Sequence, residues 1–192
     1  MTKFFTAALV ATTALSAPAF AQGSDPAPFT GPRVEAVAGW DRVQGGGEHK
    51  NGVSYGGAVG YDFQAGGAVL GIEAEGTGSS TNSCGGAGTV ADPKVCLKAG
   101  RDLYAGGRVG AIVGDNTLLY AKAGYTNARV RLTSYDGTAT STLTGRNLDG
   151  VRVGAGVEHN FGGAYGKVEY RYSNYQDGVA RHGVVAGVGV RF

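Results

Sequence analysis

A Ser-Asn pair, three histidines and two cysteines are the residues of this 192-residue chain whose types could do chemistry. A serine becomes a nucleophile only when a general base stands beside it. Ser173 has Arg171 two positions upstream, a permanent cation that cannot take its proton, while Asp177 and His182 come later in the chain. His49, His159 and His182 are scattered, and none stands at metal-ligand spacing from another. Cys84 and Cys96 lie twelve positions apart in a segment with no histidine, which predicts a disulfide and not a metal site. The glycine-rich stretches contain no phosphate-binding Gly-x-x-x-x-Gly-Lys-Ser/Thr pattern. These residues predict no catalytic, cofactor-binding or metal site.

The remaining charged residues recur at every second position, and that spacing belongs to strands. The first run, Arg33 to Asp41, sets Val34, Ala36, Ala38 and Trp40 against Arg33, Glu35, Gly39 and Asp41. Seven more runs follow: Val53 to Phe63, Ala68 to Gly76, Asp102 to Val113, Leu118 to Leu132, Val151 to Phe161, Ala164 to Tyr172, and the terminal run ending at Phe192. Each opposes an apolar row to a polar or small one. Helical periodicity appears nowhere after the first 21 residues. The last run carries Val184, Ala186, Val188, Val190 and Phe192 on one face. A strand in that position must be paired on both sides or become an aggregating edge, and closing the sheet removes the edge.

Connections between the runs alternate in length. Short ones are 64–67, 114–116 and 162–163, and long ones are 42–52, 77–100, 133–147 and 173–181. Short periplasmic turns alternating with long external loops are the signature of a transmembrane barrel. The predicted fold is therefore all-β, an eight-stranded antiparallel up-and-down transmembrane β-barrel with short periplasmic turns and long extracellular loops. With that orientation Trp40, Tyr55, Tyr125, Tyr170 and Tyr172 fall near the external ends of their apolar rows. Phe63, Phe161 and Phe192 fall at the periplasmic ends, so two aromatic girdles are predicted.

If the apolar rows face lipid, the polar rows face the lumen. The inward row then holds seven acids (Glu35, Asp62, Glu73, Glu75, Asp102, Glu158 and Glu169) and seven bases (Arg33, Arg108, Lys122, Arg152, Lys167, Arg171 and Arg191). Eight strands enclose a space that side chains fill. Charges packed there must pair, since an unpaired buried charge costs several kcal/mol. The inward glycines are expected to make room for these long side chains. A packed salt-bridge network is the expected interior, and a gated ion path through it is the alternative. A lipocalin-like carrier, to whose first strand Gly39-Trp40 is similar, would need the polarity inverted.

The N-terminus reads as an export signal. Lys3 precedes an apolar stretch, and Ala19-Phe20-Ala21 places small residues at a cleavage site between Ala21 and Gln22. The expected organisation is a signal peptide over 1–21, a short periplasmic segment over 22–32, and the barrel over 33–192. Without Lys3 the basic and acidic residues differ by one, and no basic run of the kind nucleic acid demands is present. All 36 glycines follow the signal, but at fixed parity with Val, Tyr and Ala, which is strand patterning and not low complexity.

Leu103-Tyr104-Ala105-Gly106-Gly107-Arg108-Val109-Gly110, Leu118-Leu119-Tyr120-Ala121-Lys122-Ala123-Gly124-Tyr125 and Val168-Glu169-Tyr170-Arg171-Tyr172-Ser173, with the terminal Phe192, carry a resemblance. The chain resembles the small outer-membrane protein beta-barrel domain family, which includes opacity-type, OmpX-like and "porin family" surface proteins. The resemblance implies the outer membrane of a Gram-negative bacterium, with its lipid bilayer as the surroundings. It also implies that the barrel-assembly machinery reads the C-terminal strand. It implies envelope, surface-contact or limited solute roles and no shared catalytic residues. Lipid A deacylase barrels carry His-x-Ser-Asn, and Arg171-Tyr172-Ser173-Asn174 departs from it at the base. The expected function is a structural or surface-interaction barrel, with a narrow porin-like channel as the alternative and a lipid-modifying enzyme as a remote one. Any extracellular ligand or host surface would meet the loops, and a monomer is expected.

Overall fold

The computed structural model describes residues 27–45 and 48–192, so the signal segment and its cleavage site lie outside the described residues. The strands are β1 (Gly31–Gly45), β2 (Glu48–Ala65), β3 (Ala68–Ser79), β4 (Asn82–Gly85), β5 (Lys94–Val113), β6 (Thr117–Tyr135), β7 (Thr140–Asn160), β8 (Ala164–Tyr175) and β9 (Ala180–Arg191). All pairings are antiparallel between neighbours, and β3–β5 and β1–β9 close them into an eight-membered ring. The short β4 stands outside the ring, running on from β3 beyond a break and pairing with β5. The seam between first and last strands runs from Arg33 opposite Arg191 to Gln44 opposite Ala180.

Alternation explains the ring. Along β8 buried and exposed residues alternate from Tyr165 to Tyr175 almost without a break. The outward row is lipid-compatible: Ile72, Val109, Val157 and Val188 are all exposed. Backbone hydrogen bonds are satisfied between strands, which membrane hydrocarbon demands. Tight turns at one end use left-handed glycines, Gly66 (φ 59°) between β2 and β3 and Gly114 (φ 69°) between β5 and β6.

At the other end the chain differs from the expected long loops. Most of 42–52, 133–147 and 173–181 and part of 77–100 is strand, so the hairpins continue past the bilayer. β6 runs ten residues beyond Tyr125, roughly 30 Å of strand. From Thr140 to Asn147 every residue of β7 is exposed. No apolar face exists there to mark the strand. A bulge sets Gly100 and Arg101 of β5 against Arg129 of β6 and reverses the facing of β5 above it.

The N-terminal boundary also differs. Gly31 and Pro32 are already in β1, and residues 27–30 fold back into the periplasmic end of the ring. The Phe29 ring is fully buried against Val69, Leu118 and Tyr120, with the Arg191 guanidinium 5.4 Å over its face. Asn160 Nδ2 donates to Pro28 O (2.8 Å), and the Phe29 amide donates to Gln64 Oε1 (3.2 Å).

Candidate functional site

Strand parity sends one row of each strand inward, and the ring is narrow enough for inward side chains to meet across it. All fourteen charged residues of the inward row are buried. The buried Asp41 of β1 and the half-buried Arg181 of β9 extend the set, paired with each other, which makes eight of each sign. Near the periplasmic end Asp62 takes Arg33 Nε and Arg191 Nη2, each at 3.0 Å, and also Arg108. Glu158 takes Arg108 and Arg191, each at 2.8 Å. In the middle Glu73 takes Lys122 (2.8 Å) and Arg33, and Glu169 takes Lys122 (2.8 Å), Arg171 (2.8 Å) and Lys167 (3.5 Å). Glu35 takes Lys167 and Arg33. Toward the external end Glu75 takes Arg171 (2.6 Å) and Arg152 (3.1 Å), and Asp102 takes Arg152 and Arg181 (2.9 Å). The pairs share members, so the charges form one continuous network from mouth to mouth.

Inward tyrosines complete the packing. Tyr120 donates to Glu169, Tyr165 to Glu35 and Tyr175 to Asp102, each at 2.8 Å. Lys122 lies 4.7 Å over the Tyr104 ring, and Arg108 5.1 Å over that of Tyr120. Glycines on adjacent strands admit these rings. A Cβ at Gly156 would stand 2.7 Å from the Tyr120 hydroxyl, and one at Gly189 would stand 2.5 Å from Tyr165 Cζ. Glycines also clear the charges, as at Gly60, where a Cβ would stand 2.9 Å from Arg33 Nη2. The sequence reading missed the tyrosines as interior groups, although Tyr104 has the parity of Asp102 and Arg108.

What space is left is small. Near the external end a cavity of about 10 Å3 is lined by Ser54, Thr77, Arg171 and Ser173 among others. That is room for about one water molecule. Ser173 is buried there and accepts from Arg152 Nε at 2.8 Å, so its hydroxyl faces the ion network and not lipid. Glu35, Glu73 and Glu75 lie close enough to share a cation, but each is already held by Arg or Lys. His159 bonds Thr117 and His182 bonds Tyr170, far from one another in the ring.

On the outer face Trp40, Tyr55, Tyr125 and Tyr170 are exposed and Tyr172 is half-buried beside His182. Trp40 and Tyr170 both stand opposite Val184. Phe63, Phe161 and Phe192 are exposed at the end with the tight turns. Cys84 and Cys96 form a disulfide between cross-strand partners of β4 and β5.

Charge outside the network is unevenly divided. Among the residues whose side chains are described, Arg42, Lys50, Lys94, Arg101, Arg129, Arg131 and Arg146 lie toward the external end, with Asp92, Asp136, Asp149 and Asp177. Asp115 sits in a periplasmic turn. The near-neutral composition thus conceals an external surplus of cations.

A closed eight-stranded ring, lipid-compatible outside and ion-paired inside, defines an outer-membrane β-barrel. The chain belongs to the outer membrane protein beta-barrel domain family, whose model matches residues 7–192. It is similar in fold to Neisserial surface protein A, with TM-score 0.59 and 18% identity over 85% of this chain and 98% of that one. It is also similar to Ail, the attachment invasion locus protein of Yersinia pestis, solved with the heparin analogue sucrose octasulfate. There the TM-score is 0.58 and the identity 16%, over 84% of this chain and 99% of Ail. No curated protein sequence matches the chain. The protein resides in the outer membrane of a Gram-negative cell, with the bilayer around its ring.

Proposed function

We propose that this is a closed, non-enzymatic surface barrel whose external hairpins serve envelope integrity or adhesion. The observation that carries the reading is the filled interior, fifteen buried charges and four buried tyrosines, with a cavity of about 10 Å3 near its external end. An ion crossing it would have to break several buried pairs, each strongly costly to separate. The aromatic bands fix its height in the bilayer. The exposed row Val184, Ala186, Val188, Val190 and Phe192 is what the assembly machinery reads. The barrel works as a monomer, and the external cations suit an anionic partner. Support for that last point comes from Ail, whose structure was solved with a sulfated ligand.

Single-channel recording of the purified protein in planar bilayers tests the closed interior. Only rare, small openings are expected, and a reproducible large conductance abolished by changing Glu73 or Lys122 would establish the channel reading instead. Ser173 faces inward and accepts from Arg152 Nε, away from the lipid, so incubation with lipid A is expected to release no acyl chain.

A further inference from the structure

Beyond the closed interior the hairpins enclose a second, quite different space. This cup measures about 490 Å3, within the roughly 300–1,000 Å3 usual for small-molecule sites. All four external connections contribute to it. Val43 of β1, Ala99 of β5, Val130 and Leu132 of β6, Leu148 of β7, and Val179 supply its apolar wall. Val130 and Leu132 stand five and seven residues past Tyr125, so they meet water, not hydrocarbon. Apolar surface gathered in water outside the bilayer marks a binding site more often than a structural need.

The cup carries cations on its wall. Lys50 and Arg146 are the charged residues that line it among those whose side chains are described. Arg146 reaches the exposed Asp177 at 2.9 Å, which sets its guanidinium at the rim. The floor is blind. Thr81 lines the cup, and its hydroxyl lies 3.4 Å from Asp41, the outermost carboxylate of the interior network. A ligand that enters has nowhere further to go.

We propose that the cup binds a single-chain anionic amphiphile, a long-chain carboxylate or alkyl sulfate. Its chain lies against Val130, Leu132 and Leu148, and its head group lies at Lys50 and Arg146. A free inorganic anion would gain nothing from the apolar wall, and a neutral hydrocarbon would gain nothing from the cations. A surface barrel with a closed interior needs no such ligand, so a negative result here leaves that reading standing.

The test is methyl NMR of the full barrel in phosphatidylcholine nanodiscs, titrated with dodecanoate and, separately, with dodecyltrimethylammonium. Saturable shifts at Val130, Leu132 and Leu148 are expected with dodecanoate only. The lipid-facing methyls of Val109 and Val157 should drift linearly with both amphiphiles. The Lys50→Gln/Arg146→Gln variant should weaken binding at least tenfold, and Leu132→Asn should weaken it through the wall alone. Both must retain heat-dependent gel migration, and either one that folds carries the test. Equal saturation by the cationic amphiphile, shifts without saturation, or unchanged affinity in a folded variant would overturn the proposal. So would cup shifts that follow barrel concentration without amphiphile, since the occupant would then be a second copy.

Discussion

The Lys122 ammonium of β6 lies 2.8 Å from the Glu73 carboxylate of β3, reaching over the intervening β5. The same nitrogen lies 2.8 Å from Glu169 of β8, beyond β7 on the other side. One side chain therefore braces three strands, none adjacent to another. Lys122→Met removes the cation and leaves three acids, Glu73, Glu75 and Glu169, short of a partner. Breaking a buried pair typically costs about 3–5 kcal/mol, and the other cations around Glu73 and Glu169 place the expected loss near 3 kcal/mol. Urea unfolding in lipid vesicles measures it, and a change below about 1 kcal/mol would show that the brace contributes little.

Phe29 closes the periplasmic mouth from a segment without alternation. Phe29→Ala should destabilise the barrel by about 3 kcal/mol, the low end for a buried phenylalanine. Solvent exchange at the Arg191 guanidinium should quicken, because the ring beneath it is gone. Wild-type stability in the variant would mean that the segment detaches freely.

At the tip between β6 and β7, Asp136 Oδ1 accepts from the Thr138 amide (2.9 Å), the Thr138 hydroxyl (2.8 Å) and the Ala139 amide (2.8 Å). These donors favour the carboxylate and hold its pKa down to about 2, below the ordinary 3.8. A lowered folded-state value means that its contribution is present above about 4 and fades as pH falls toward 2. Carboxyl 13C titration should show that low midpoint, and a midpoint near 4 would be inconsistent with the turn.

The Cys84–Cys96 bridge joins β4 to β5 outside the ring. Reduction should loosen that hairpin alone, by roughly 3 kcal/mol on the loop-entropy estimate. Amide exchange should rise near Cys84 and Cys96 while the heat-dependent gel shift stays unchanged. Loss of the gel shift would show that the bridge supports the barrel.

Much of this architecture was legible because a barrel wall in lipid has two unlike faces. Where both faces exist, as from Val151 to Phe161, alternation located the strand. Above the bilayer both faces of β7 meet water, so the alternation lapses and the strand carries a loop's polar composition. Arg181 lies in such a stretch without a parity signal, yet it turns inward to Asp41. Phe29 left no periodic signal at all. The cup needed the hairpins to be strands before its wall could exist.

At the seam, Arg33 of β1 and Arg191 of β9 stand directly opposite each other, and Asp62 of β2 contacts both. Two guanidiniums in register repel, and Asp62 offsets this by contacting both, while Glu158 of β7 also holds Arg191. Asp62→Asn should therefore slow refolding into vesicles more than it changes the finished spectrum, and equal rates would refute this. The seam is thus a lock with two facing cations, and its keys are carboxylates carried by strands other than the last, Asp62 on β2 and Glu158 on β7.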